Sequence, residues 1–242
     1  MRDPVLALVG VALAFFGLDT LRYVWGRLGV DSPLPDDGAG SLASDLRKWA
    51  FASLIIVWVL AVEGRPLSSI GVEWTAPLSF VAWVGGGVVL TMVVGGVTMG
   101  LYNRLDLTTP ERFVEEQLER SISARTLTAV TAGVTESVLF QGYPIERLAA
   151  LLKTVPATSG VAFPVAGAIA FLAFTGGHYA GDTYSLEEVV FIGVPALSVT
   201  VLYVLTGNLL VVIAVHTLVD GISLLGPDVA AVLNDSEKPV PE

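Results

Sequence analysis

Residues 77–100, PLSFVAWVGGGVVLTMVVGGVTMG, carry no charged side chain, and the uncharged run continues to Tyr102. A helix rises about 1.5 Å per residue and a bilayer's hydrocarbon core is about 30 Å thick, so this stretch is long enough to cross it. Backbone N–H and C=O groups have no water to bond in lipid, so a spanning segment of this kind must be helical. Its Val-rich composition is therefore not read as a buried strand.

Moving outward, six more apolar runs bring the expected spans to 4–25, 46–63, 77–102, 124–144, 161–180, 187–206 and 208–225. The fold class is all-α, a polytopic transmembrane bundle of seven or eight spans. Composition agrees, since 53% of the residues are apolar and 15% are charged, a balance unlike that of water-soluble domains. The net charge is −10, but the acids gather at segment ends, around Asp36 and Asp37, and in the tail after Pro227. The run from Val5 to Leu18 has a weak basic flank and no small-residue cleavage site, so it is read as a retained helix. With no cysteine, disulfides, thiolate metal sites and a cysteine nucleophile are all excluded.

The connections carry ordinary turn residues: Pro33, Pro35 and Gly38, then Gly64 and Pro66, then Thr206-Gly207-Asn208, which makes a tight hairpin of the last two spans. Before the fourth span, Thr108 and Thr109 precede Pro110 and Glu111, a helix start. Phe113, Val114, Leu118 and Ile122 then form one apolar stripe, predicting an amphipathic helix on the membrane surface with Glu115, Glu116 and Glu119 solvated. Arg22, Arg27, Arg47, Lys48, Arg104, Arg112, Arg120 and Arg125 fall in or beside the first and third loops. The positive-inside rule then makes these loops cytoplasmic and places the chain as a multi-pass protein of the cell membrane. Gly85 to Gly87, Gly95, Gly96 and Gly100 predict close helix contact along the third span. No repeat and no basic nucleic-acid patch is present. Residues 1–242 are read as a single membrane domain with an acidic soluble tail at 226–242, and with the bilayer, not nucleic acid, as partner.

Four residues do not belong in lipid without a reason: Glu136, His178, His216 and Asp220. An acid at the centre of a span is disfavoured by about 2.5–3.5 kcal/mol on insertion scales, so such residues mark functional interiors. His216 and Asp220 are four apart and share a helix face, as do Phe174 and His178. Counting helical rise from each span's start brings Glu136 and His216 to similar depth, with His178 one to two turns nearer the third loop. No His-Glu-x-x-His and no Gly-x-Ser-Gly occurs. Asp182, four after His178, is read as a loop acid or a partner of that histidine.

Three motifs lie in order on separate spans: Glu136-Ser-Val-Leu-Phe140-Gln141-Gly142, Phe174-Thr-Gly-Gly-His178, and His216-Thr-Leu-Val-Asp220. They resemble the Glu-Glu-x-x-x-Arg, Phe-x-x-x-His and His-x-x-x-Asn/Asp motifs of the CAAX-protease and bacteriocin-processing (CPBP, or Abi) family of intramembrane proteases. Pro66 to Val72 and Leu205 to Asn208 resemble connectors of that family, so the family-like core is 63–222. Two positions depart from the pattern: Ser137 stands in place of the second Glu and Gln141 in place of the Arg. The resemblance implies an intramembrane endopeptidase of the CAAX-processing type, acting on a peptide or membrane-protein substrate such as a prenylated C-terminus. Glu136 would be the base that activates water, with His178 and His216 polarising the carbonyl or holding the oxyanion. Asp220 would support the oxyanion or orient His216. No cofactor is favoured, and the alternative is a metalloendopeptidase with zinc on Glu136, His178 and His216. The degenerate first motif keeps open a catalytically silent membrane scaffold of the same fold.

Overall fold

Apolar runs uninterrupted by helix breakers become long helices in the computed structural model, which describes residues 3–28, 42–107, 115, 118–180 and 185–236. Helix α1 is Pro4–Leu28 and α2 is Leu42–Val57, the latter prolonged by a π turn at Trp58–Val62. A 3-10 turn at Leu67–Ile70 leads to α3, Pro77–Leu105. Next come α4, Ile122–Thr131, a π-helical segment at Ala132–Gly142, and α5, Tyr143–Leu152, which follow one another without a break. A 3-10 turn at Pro156–Val161 precedes α6, Ala162–Ala180, and the chain ends with α7, Leu186–Thr206, and α8, Leu209–Ser236. No strand occurs among the described residues.

The expected spans recur with their ends moved by a few residues, and the last helix runs past Gly226 to Ser236. The expected surface helix falls mostly on residues outside the described ones, as do Asp36, Asp37 and Asp182. Four helical stretches are long and apolar enough to cross a membrane: Pro77–Leu105, Pro156–Tyr179, Leu186–Thr206 and Leu209–Gly226, with Pro4–Leu18 a shorter apolar helix. This is a multi-pass membrane protein. Three expected spans are not among the four: the first is the shorter helix just named, α2 holds Asp45, Arg47 and Lys48, and the fourth holds Arg125 and Glu136.

The interior is built around the π segment, which packs against α8 and α2, with α5 held against α1 and α6. Ile55, Val59, Ile70, Tyr143, Ile145, Tyr203, Leu209 and Val215 are completely buried there. Hairpin α7–α8 turns at Gly207, whose φ of +60° is left-handed, and Asn208 caps α8 by accepting from Val211 N–H at 3.1 Å. The connector after α2 is pinned to that hairpin: Leu209 N–H donates to Gly71 O at 2.7 Å, and Asn208 Nδ2 donates to Glu73 O at 2.9 Å.

Helix α3 corrects the expectation about its glycines. A Cβ on Gly85, Gly86, Gly95, Gly96 or Gly100 would meet nothing within 4 Å, and only Gly87 packs, against Val215 and Leu202. The close approach occurs at Gly133 instead, where a Cβ would lie 2.7 Å from Thr217 N and 2.8 Å from its Cα. Absence of a side chain at Gly133 lets α8 cross the start of the π segment at backbone contact, and the neighbour of Thr217 is His216.

Candidate active site

The π segment presents Glu136 and Ser137. In a π-helix each N–H reaches back five residues, as Tyr143 N–H does to Val138 O. Pro144 helps explain the widening: it has no N–H to donate, and its ring crowds the carbonyl four residues earlier, at Phe140. The wider turn changes which faces Glu136, Ser137 and Gln141 occupy relative to an ordinary α-helix, a rephasing that apolar periodicity does not signal.

The structure brings Glu136, His216 and Asp220 together. Glu136 Oε2 lies 4.0 Å from His216 Nε2, and Asp220 Oδ2 lies 3.6 Å from the same nitrogen. Both separations exceed hydrogen-bond length, and 4.0 Å is short enough for one water to touch both groups. The other ring nitrogen, Nδ1, is 3.4 Å from Ser137 Oγ. Ser137 is fully buried, so the position where the resembling family has its second Glu here contacts the histidine through a hydroxyl. Asp220 therefore meets the nitrogen that faces Glu136, and the group placed to orient the ring from behind is Ser137.

His178 arrives by a different route. Its Nδ1 is 2.8 Å from Phe174 O, and because a carbonyl only accepts, Nδ1 carries the proton and Nε2 of the neutral ring is an acceptor. Its ring packs on Phe174 at 4.4 Å between centroids, Phe174 meets Phe140 edge-on at 5.2 Å, and Phe140 stacks on Phe15 at 5.9 Å. This aromatic column joins α6 to the π segment and α1.

One group was missed. Lys48 Nζ donates to Glu136 Oε1 at 2.6 Å, although the sequence reading had counted Lys48 among loop cations. Arg47 and Arg125, counted in the same way, are buried in the protein, as is Arg147. The signal was available: the chain has only three lysines, and Lys48 falls inside the span expected at 46–63. Side-chain exposure is 12% at Glu136 and 14% at His216 but 29% at Lys48 and 31% at Asp220. Glu136 and His216 are thus the less exposed members of the cluster and Lys48 and Asp220 the more exposed.

Gln141, where the resembling family has Arg, is buried, and its Oε1 has no hydrogen-bond partner. A buried guanidinium is present nearby at Arg147. Its Nη2 lies 2.6 Å from Glu63 Oε2, its Nε donates to the same oxygen at 2.8 Å, and it donates to Ser69 O and Oγ at 2.9 and 3.0 Å. Tyr143 adds a hydroxyl to Glu63 Oε1 at 2.9 Å, and this cluster ties α5 to the end of α2 and the connector after it.

No set of three or more His, Asp or Glu side chains among the described residues is arranged to hold a metal ion. Glu136, the carboxylate expected as a ligand in the zinc alternative, has Oε1 engaged by the Lys48 ammonium while Oε2 faces His216.

Residues 119–222 match the model of type II CAAX prenyl endopeptidase Rce1-like proteins. That segment of the chain is similar to Rce1-like proteins. The match includes Glu136, His178, His216 and Asp220 and supports the CPBP assignment that the three motifs implied. No curated protein and no solved structure matches the chain. The matched family is one of proteases, which supports protease activity in general and implies a peptide substrate in a membrane context. The matched segment begins before α4 and ends within α8, so α2 and Lys48 lie outside it.

Proposed function

We propose that the protein is an intramembrane endopeptidase in which Glu136 activates water for attack on a peptide bond without a metal ion. The observation that carries this reading is the placement of Glu136 Oε2 and His216 Nε2 4.0 Å apart, each side chain partly exposed. Water held between them gives a proton to Glu136 as its oxygen bonds to the carbonyl carbon. The carbonyl oxygen takes up the negative charge, and the N–H at His216 Nε2 is the donor available to it, since the Nδ1 proton of His178 is engaged by Phe174 O. As the C–N bond breaks, the proton on Glu136 passes to the departing amine and leaves a free carboxylate product. Asp220, beside Nε2, stabilises His216 when the ring carries charge, and Ser137 holds the ring from Nδ1. The substrate class proposed is a membrane-embedded or lipidated peptide reaching the site from the bilayer, a prenylated C-terminus among them.

The test compares purified wild type with Glu136→Ala and His216→Ala against a fluorogenic peptide library in detergent. A general base contributes roughly 10²–10⁴-fold, so each variant should lose cleavage by that order while remaining folded. Cleavage that persists in both variants removes the site proposed here. A wild type that cleaves nothing in the library leaves the silent-scaffold reading standing instead.

A further inference from the structure

Lys48 comes from α2, outside the segment matched to the Rce1-like family, yet it makes the shortest polar contact to Glu136. The two carboxylate oxygens of Glu136 have different neighbours: Oε1 receives the ammonium at 2.6 Å, while Oε2 faces His216 Nε2 at 4.0 Å. Left alone, the terminal torsion of a Glu side chain is broad and two-fold, so its oxygens would exchange and its plane would wander. The contact joins α2 to the π segment. Because position 141 holds an uncharged Gln, the cation touching the site's carboxylate is supplied by α2 and not by the helix that bears Glu136.

We infer that Lys48 is a positioning residue for the hydrolytic reaction: its ammonium pins Oε1 of Glu136 so that Oε2 is the oxygen aimed at His216 and at the water between them. The inference rests on the reading of Glu136 as the base. It assigns a function to α2, whose cation fixes the base in place across 88 residues of chain.

The experiment uses the full chain in detergent with a peptide that wild type cleaves. Lys48→Met keeps the length of the side chain without its charge, Lys48→Arg keeps the charge, and Lys48→Ala makes room for an added primary amine. Displacing a reacting group by about 1 Å costs on the order of 10²-fold, so Met and Ala should lower kcat by about that factor with KM nearly unchanged. Arg should retain part of the lost rate, and propylamine should restore part of it to Lys48→Ala, whereas propanol should not. Glu136→Ala should be inactive with or without amine. A Lys48→Met variant with wild-type kcat, or losses in Met, Arg and Ala that track the unfolding midpoint with no response to amine, overturns the inference and leaves Glu136 as base. Cleavage persisting in Glu136→Ala overturns the hydrolytic reading and the inference together.

Discussion

Glu136 and Arg147 stand on one continuous helical path, but their surroundings follow opposite rules. Around Arg147 every partner is close: Glu63 on two nitrogens, Ser69 through carbonyl and hydroxyl, and Tyr143 completing the carboxylate, with Arg147 and Glu63 only 2% and 6% exposed. Around His216 the separations are 3.4, 3.6 and 4.0 Å, and the groups keep access to the outside. A saturated buried network leaves no vacancy for a reactant and resists removal of any member. The loose cluster has donors and acceptors with capacity to spare, which suits a place where water and substrate must enter. The first cluster is expected to be measured in stability and the second in turnover.

The largest separation of the two should come from Arg147→Met. It leaves the Glu63 carboxylate buried without its cation, and breaking a buried pair in this way costs about 3–5 kcal/mol. Denaturant titration in mixed micelles should show that loss, while the fraction still folded cleaves peptide at the wild-type rate. Adding Glu63→Gln should recover much of the stability, because the stranded charge is gone. An Arg147→Met protein that is as stable as wild type but inactive would mean the two clusters form one catalytic unit, and the contrast drawn here would collapse.

Gly133→Ala should affect both properties. The new methyl would sit 2.7 Å from Thr217 N and must push α8 away, an overpacking that costs about 1–3 kcal/mol. The same push moves His216, next to Thr217, away from Glu136, and a shift of that size lowers kcat by about 10²-fold. Parallel thermal melts and rate measurements would check this. Loss of stability with unchanged turnover would show that the 4.0 Å separation is not set by this crossing.

How much of this was written in the sequence follows from what lipid enforces. The helices were legible because a backbone in hydrocarbon has few alternatives, so uncharged runs such as Pro77 to Tyr102 define elements directly. Glu136, His216 and Asp220 were legible because ionisable groups in apolar runs are rare and expensive. Lys48 was not, because a cation near a span's end is ordinarily a loop charge, and only the folded chain shows it crossing to Glu136. Glu63 and Arg147 were hidden for the same reason, being 84 residues apart and each beside a segment end. The π segment was hidden because apolar patterning marks a helix without stating its pitch. Small residues misled at Gly85 to Gly100, since glycine permits close approach but does not supply the neighbour, which Gly133 has and Gly96 lacks.

The finest comparison deletes one hydroxyl from each cluster. Tyr143→Phe removes the 2.9 Å bond to Glu63 Oε1, and a hydrogen bond to a charged group contributes about 1.5–3 kcal/mol, so stability should fall by that amount with turnover unchanged. Ser137→Ala removes a 3.4 Å contact to His216 Nδ1, too long to contribute more than about 1 kcal/mol to folding. Its effect should appear in kcat, as a loss of about tenfold or less, because an imidazole no longer held from behind spends less time facing Glu136. Equal stability losses in the two variants, with no change in kcat for Ser137→Ala, would place His216 in a structural network like that of Arg147. The reverse pattern, in which the longer contact governs rate and the shorter one governs folding, is what a catalytic cluster beside a structural lock requires.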